Sequence, residues 1–185
     1  MAVQLFLIAP GMNEALREAR FDDAGPVETR AEPLCVGPRA RVVCSPSGRC
    51  RATAAAFGLE RYEEVPALAG CAMGRWRGRR LDEVAAAEPE AVAAWLGDPG
   101  SAPHGGESLR QVRARVAEWM DALAANDPGA RVWAVVEPDV IRAAIAHALG
   151  APEEVFWRLD VRPASRVSLT GRAGRWNLQL DTQVA

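Results

Sequence analysis

The stretch Val3-Gln4-Leu5-Phe6-Leu7-Ile8-Ala9-Pro10-Gly11-Met12 decides the fold. Its first half is an apolar run of β-prone residues, too short for a buried helix, and it predicts a strand buried on both faces. Pro10 cannot donate to a ladder and Gly11 supports an open turn, so the strand ends there. Chemistry in an open α/β sheet gathers at the carboxyl ends of the strands. The crest of this strand carries Ala9, Pro10 and Gly11, which bring no reactive side chain.

Two further apolar runs read as buried strands, Arg41–Cys44 and Arg131–Val136. Each leads into a helix. After the first, Ser45 is placed to cap and Pro46 to take the first helical position of a helix over 47–57. After the second, Glu137-Pro138-Asp139 opens a helix over 140–149, with Asp139 suited to the positive end of its dipole. Ser108-x-x-Gln111 is a capping box. It starts the longest helix, which lines up Leu109, Val112, Val116, Trp119, Met120 and Leu123 on one face and closes at Asn126-Asp127-Pro128-Gly129. Shorter helices are expected over 14–19, 81–87 and 90–96, with a long surface loop over 20–39, an irregular stretch over 60–80 and a short helix from Pro152. Residues 167–170 and 176–180 read as an antiparallel hairpin at the sheet edge.

Composition narrows the function. At 185 residues, 49% of them hydrophobic, the chain can bury one core and is short for two. The net charge of −2 argues against nucleic-acid and polybasic membrane roles. All 22 basic residues are Arg, which excludes Schiff-base and phosphate-loop lysine chemistry. Cys35, Cys44, Cys50 and Cys71 lack C-x-x-C spacing and a paired His, so no metal site and no cofactor is expected. Cys44 reads as a small core hydrophobe, and Cys50, just inside a helix start, as a core residue or a reactive thiol. No run approaches the ~20 apolar residues that span a bilayer, and no basic segment leads into an apolar one near Met1. The expected compartment is a reducing cytoplasm.

A helix N-terminus beyond a strand end favours anions. Ser45, Ser47 and Arg49 stand at one, with Arg49 either reaching an anion or lying exposed. His147, among alanines within a helix, reads as structural. His104 lies on a loop near the expected mouth of the site, as a solvated side chain or a substitute acid or base.

Four segments in order carry a resemblance. Ser45-Pro46-x-x-Arg49-x-x-x-Thr53-Ala54 resembles the Ser-Pro-x-x-Arg-x-x-x-Thr-Ala segment of the histidine phosphatase superfamily, the phosphoglycerate-mutase-like proteins. Gly74-Arg75-Trp76-Arg77-Gly78, after Leu68, resembles its Gly-x-Trp-Glu-Gly segment. Gly105-Gly106-Glu107-Ser108-Leu109 with Arg115 resembles its Gly-Gly-Glu-Ser-Leu…Arg helix start. Val135-Val136-Glu137-Pro138-Asp139-Val140-Ile141-Arg142 resembles its Val-Ser-His-Gly-Gly-Val-Ile-Arg segment. The resemblance implies a single three-layer α/β/α domain over 1–185, with a mostly parallel, doubly wound sheet and an antiparallel C-terminal edge.

It also implies a phosphorylated His in an Arg-His-Gly loop, a second His, two Arg clamps and a Glu proton donor. Carried over by position, the nucleophile falls at Pro10, its neighbouring Arg at Ala9, the proton donor at Gly70 and the second His at Glu137. Arg49 alone is kept. Proline cannot carry a phosphoryl group. A unit charge ~4 Å away is worth roughly 4 kcal/mol at an effective dielectric near 20, so losing a cation and gaining an anion weakens phosphate binding by about a thousandfold. Arg49 and Glu137 are expected to form an internal ion pair in place of the phosphate. Glu107, Arg115 and Arg142 are read as structural hydrogen-bonding residues.

The first expectation is a non-catalytic module that binds a small molecule or a protein, with Arg49, Ser45, Gly11 and Glu137 as candidate ligand contacts. The alternative is a hydrolase or other enzyme of altered chemistry, with Glu137 as base, Arg49 as anion clamp and His104 assisting. A third is a residual phosphatase that uses water directly. Partners left open are a small molecule, a protein or a second copy of the chain in a homodimer.

Overall fold

A computed structural model describes residues 1–21, 24–28 and 32–180 of the chain. Of the loop expected over 20–39, residues 22, 23 and 29–31 lie outside the described residues. The opening stretch forms β1 (Val3–Ile8), followed by the short helix α1 (Glu14–Arg17) capped by Asn13. Then come β2 (Arg41–Cys44), α2 (Gly48–Ala56), the two-residue β3 (Glu63–Glu64), α3 (Leu81–Ala87), α4 (Pro89–Gly97), α5 (Leu109–Asn126), β4 (Arg131–Val135), α6 (Pro138–Ala148), β5 (Arg166–Arg172) and β6 (Arg175–Gln179).

The six strands form a sheet in the order β3-β2-β4-β1-β5-β6. β1 pairs parallel with β4, Leu5 beside Val132, and antiparallel with β5, Leu5 beside Leu169. β2 is parallel to both β3 and β4. The sheet is therefore mostly parallel with an antiparallel C-terminal edge, as expected. The β5–β6 hairpin turns on Ala173 and Gly174, both at positive φ, the backbone that a two-residue hairpin requires.

Alternation along the strands divides the core. Leu5, Leu7, Val43 and Ala134 face the stripe Val112, Val116 and Met120 of α5 and Ile141 of α6. Met120 is wholly buried, and truncation to Ala there costs about 2–5 kcal/mol. On the opposite face Ile8, Cys44 and Val135 meet Cys50 and Ala54 of α2. Phe6 is only half-buried; its ring stacks on Trp133 at 4.3 Å. A third cluster, Trp76, Val84, Val92 and Trp95, lies in the segment between β3 and α5.

Four local readings are corrected. Ser47, not Ser45, caps α2: its side chain accepts from the Cys50 N–H, and Pro46 precedes the cap. The helix after β4 begins at Pro138, with Glu137 at the cap position. The stretch over 60–80 holds β3 and two 3-10 turns, Pro66–Leu68 and Gly74–Trp76; they are too short to leave a periodic signal. The helix expected from Pro152 is a 3-10 segment, Glu153–Arg158. No described helix is long and apolar enough to cross a membrane.

Candidate functional site

The parallel strands β1, β4 and β2 lie side by side, so their carboxyl ends bring three segments to one edge of the sheet. These are the loop 9–11, the start of α2 and the start of α6. The loop offers little to an anion. Ala9 N–H donates to the Ser165 carbonyl at 2.9 Å, Pro10 has no N–H, and Gly11 N–H donates to Thr53 Oγ1 at 2.9 Å. The Thr53 hydroxyl in turn donates to the Arg49 carbonyl at 2.8 Å, which ties the loop to α2.

Opposite the loop, the Glu137 carboxylate crosses from the start of α6 to the start of α2. It forms no cap on its own helix. Ser47 Oγ donates to Glu137 Oε1 at 2.6 Å, Arg49 Nε approaches the same oxygen at 3.4 Å, and Arg49 Nη2 bonds to Oε2. Both side chains are buried. Burial works against the Arg49 charge, but the field and hydrogen bond of Glu137 hold its guanidinium above its ordinary value. A fork of this kind satisfies both charges where an isolated buried charge would be costly.

Gly70 belongs to the same constellation. A Cβ there would sit 3.0 Å from Glu137 Cγ and 3.7 Å from Asp139 Oδ2. The glycine makes room for the carboxylates of α6. Asp139 accepts from Cys71 N–H and, at 2.9 Å, from Val140 N–H. Burial, and then the nearby Glu137 charge, push its carboxyl above the usual carboxylate range.

Above this floor opens a cavity of about 650 Å³. Pro10, Ser47, Arg49, Glu137 and Asp139 belong to its lining, and Phe21, Trp95, Phe156, Trp157 and Leu109 form much of its wall. Phe21, Trp76, Trp95 and Trp157 make a chain of aromatic contacts with centroids 4.8–5.8 Å apart. Arg142 also lines the cavity; its Nε donates to the Leu159 carbonyl at 2.7 Å and its guanidinium lies 5.6 Å from the Phe156 ring centroid. Among the described residues no group of three or more His, Cys, Asp or Glu side chains converges to hold a metal.

The structure brings Arg49, Glu137, Pro10 and Gly70 together and separates other candidates from them. His104 is a correction: it is not on a solvated loop but 1% exposed, its ring 5.0 Å from Trp76, and it is not part of the cavity lining. Its Nδ1 accepts from Gly106 N–H at 3.1 Å, and burial lowers its pKa. The loop is drawn in because glycines let two backbones touch. A Cβ at Gly106 would strike the Ala72 carbonyl, and one at Gly74 the His104 carbonyl. Ser45 is likewise corrected. It is fully buried, its N–H donates to the Val135 carbonyl at 2.8 Å, and it does not line the cavity. Gly11 lies outside the lining, with its N–H committed to Thr53. Cys50 is buried, and desolvation together with the Glu137 charge raises its pKa well above the ordinary thiol value, so it is not an activated thiol.

Glu107 and Arg115 form a two-bonded pair at 2.7 and 2.9 Å, and Arg115 also donates to the carbonyls of Ala67 (2.8 Å) and Gly70 (3.3 Å). His147 Nε2 lies 3.0 Å from Asp121 Oδ1, which also accepts from Trp176 Nε1 at 3.2 Å, tying α5, α6 and β6 together. Sequence reasoning missed the role of Ser47 toward Glu137, the place of Asp139 in the cavity and the aromatic wall. The helix-start position of Asp139 was a usable signal. The wall had none, since its rings come from segments far apart in the chain.

Comparison with known proteins follows the same lines. A profile of the histidine phosphatase superfamily (branch 1) matches residues 28–182, a span that begins after β1 and the loop 9–11. Bifunctional protein Rv2228c of Mycobacterium tuberculosis and uncharacterized protein Mb2253c of Mycobacterium bovis are each 35% identical to this chain over 92 residues. That match covers 50% of this chain and 25% of each relative, so it spans a quarter of the length of these curated relatives. Among solved structures, mycobacterial hydrolase 1 aligns with a TM-score of 0.80 and 26% identity over 97% of this chain and 98% of its own. The mycobacterial glucosyl-3-phosphoglycerate phosphatase Rv2419c, in complex with VO3, aligns with a TM-score of 0.77 and 25% identity over 96% and 97%. Bacillus stearothermophilus YhfR shares the fold, with a TM-score of 0.82 at 20% identity over 99% and 98%.

Proposed function

The chain belongs to the histidine phosphatase superfamily, and from that premise we propose that it is a divergent member that does not transfer phosphoryl groups and instead binds a small molecule in the cavity above Arg49 and Glu137. The observation that carries this reading is the clamped Glu137 carboxylate, held by Ser47 and Arg49 at the position where the resemblance puts the family's second His. A second anion brought there meets a carboxylate, and the cation that would draw it in is already paired.

The rest of the constellation supports the same conclusion. Covalent transfer needs an imidazole at the crest of β1, and Pro10 supplies none. Protonation of a leaving group needs an acid at position 70, and Gly70 supplies none. The amides of Ala9 and Gly11 are committed within the protein. The likeness to a glucosyl-3-phosphoglycerate phosphatase speaks for common ancestry of the scaffold, since function lives in the site and not in the fold. A volume of about 650 Å³ with mainly apolar walls and a few polar groups suits a small-molecule site.

A general-base role for Glu137 is less well supported, because both of its oxygens already accept hydrogen bonds. The deciding measurement is hydrolysis of p-nitrophenyl phosphate by the purified chain. We expect no turnover above the level of Arg49→Ala. Turnover that Arg49→Ala abolishes returns the protein to the phosphatases, and turnover lost in Glu137→Gln alone restores the general-base role.

A further inference from the structure

Resting on the binding function just proposed, a ligand class follows from the charges of the cavity. We propose that its occupant is an amphiphilic monoanion, a carboxylate on an aromatic or aliphatic body, with the Arg142 guanidinium receiving the carboxylate and the aromatic wall receiving the body.

Four arginines line the cavity, Arg20, Arg49, Arg77 and Arg142, against two carboxylates, Glu137 and Asp139. Arg49 is answered by Glu137, and Arg20 by Glu18 at 2.7 Å. Arg142 forms no ion pair among the described residues; its one hydrogen bond there runs from Nε to the Leu159 carbonyl. That bond leaves the two terminal amino groups, which match the two oxygens of a carboxylate. Asp139 and Asp160 act on Arg142 only at longer range, and burial holds its guanidinium below the ordinary value. A half-buried, unpaired guanidinium beside an aromatic ring is costly when the cavity is empty, and a monoanion relieves that cost.

The same charges select against a phosphate monoester. A dianion at Arg142 meets a single guanidinium that has no ion-pair partner among the described residues, with the Glu137 carboxylate in the same cavity. The apolar part of the ligand is set by Phe21, Trp95, Phe156 and Trp157. Such walls suit a ring or a hydrocarbon chain.

The test titrates the full chain with 2-naphthoate, its uncharged amide and inorganic phosphate, following tryptophan fluorescence and, independently, heat of binding. The acid is expected to bind saturably and at least tenfold more tightly than the amide, and phosphate not at all. Arg142→Met is expected to bring the acid down to the affinity of the amide while leaving the amide unchanged. Equal affinity of acid and amide overturns the monoanion but leaves the binding function in place; binding of neither also overturns it. Arg49-dependent hydrolysis of p-nitrophenyl phosphate removes the binding function itself. Should Arg142→Met fail to fold, the comparison of acid with amide on the unmodified chain decides the matter.

Discussion

Two arginine–glutamate pairs, Arg49–Glu137 and Arg115–Glu107, use the same two-bonded fork in different surroundings. The side chains of the first are 9% and 5% exposed, those of the second 22% and 20%. Arg115 extends its donors to the carbonyls of Ala67 and Gly70 and so fixes the loop that carries Gly70. Arg49 and Glu137 instead face each other across the floor of the cavity, with Ser47 as the third partner. One pair organises backbone; the other joins the starts of α2 and α6 side chain to side chain. The geometry of a fork therefore says little about its role, and what surrounds it says nearly everything. A deeply buried fork should depend strongly on having both partners, whereas a half-exposed one should depend on the carbonyls it serves.

The largest expected effect breaks the buried fork. Arg49→Met strands a buried carboxylate and should lower stability by about 3–5 kcal/mol, a fall in Tm on the order of 10 °C for a chain of this size. Removing both charges in Arg49→Met/Glu137→Met should recover most of that loss, since a well-packed apolar pair can replace a buried ion pair at little cost. Calorimetry of the two variants checks this, and a double variant no more stable than the single one would mean that the charges are not what matters there.

Next in size is Arg115→Met. It should cost about 2 kcal/mol through the lost charged hydrogen bonds, with faster amide hydrogen exchange confined to the stretch 67–76. Exchange rising across α2 as well would erase the distinction between the two forks.

Gly70→Ala sharpens the comparison further, because its Cβ would press on Glu137 Cγ at 3.0 Å while Ser47 and Arg49 hold that side chain still. Overpacking of this kind costs about 1–2 kcal/mol. The cost should vanish in a Glu137→Ala background, measured as a double-mutant cycle in urea.

The smallest effect is one of slope. Burial and Glu137 place the folded-state pKa of Asp139 above its unfolded value. The native chain therefore keeps this proton to higher pH than the unfolded chain does. The associated stability is present below the unfolded value and is lost as pH rises through the folded one. Asp139→Asn should flatten that decline, seen in urea midpoints between about pH 4 and pH 7. An unchanged slope would mean that the carboxyl is ionised throughout.

Much of the frame was legible in the residues. The apolar run 3–8, the Ser108–Gln111 capping box and the hairpin near the C-terminus gave strands, helix and edge, because each rests on local periodicity or turn chemistry. The pairing of Arg49 with Glu137 was also legible, once the resemblance put both positions in one pocket. Other site residues were misplaced for a common reason. His104 looked solvated because its segment is polar; its burial comes from Gly74 and Gly106, whose missing side chains let a distant backbone close over it. Ser45 looked like a cap because Pro46 follows it, yet the chain runs two residues further before the helix closes its first turn at Ser47.

The sequence alone determined which residues stand at the crest of β1 and at positions 70 and 137, and with them the absence of any imidazole at those places. Composition cannot be refolded away, so that absence holds in any conformation. Tertiary structure alone decided that Thr53 takes the Gly11 amide, that Phe21, Trp95 and Trp157 meet in one wall, and that Arg142 is left without an ion-pair partner among the described residues. Those facts depend on contacts between segments tens of residues apart, which are set by how the sheet and its helices close on one another and leave no periodic trace in the chain.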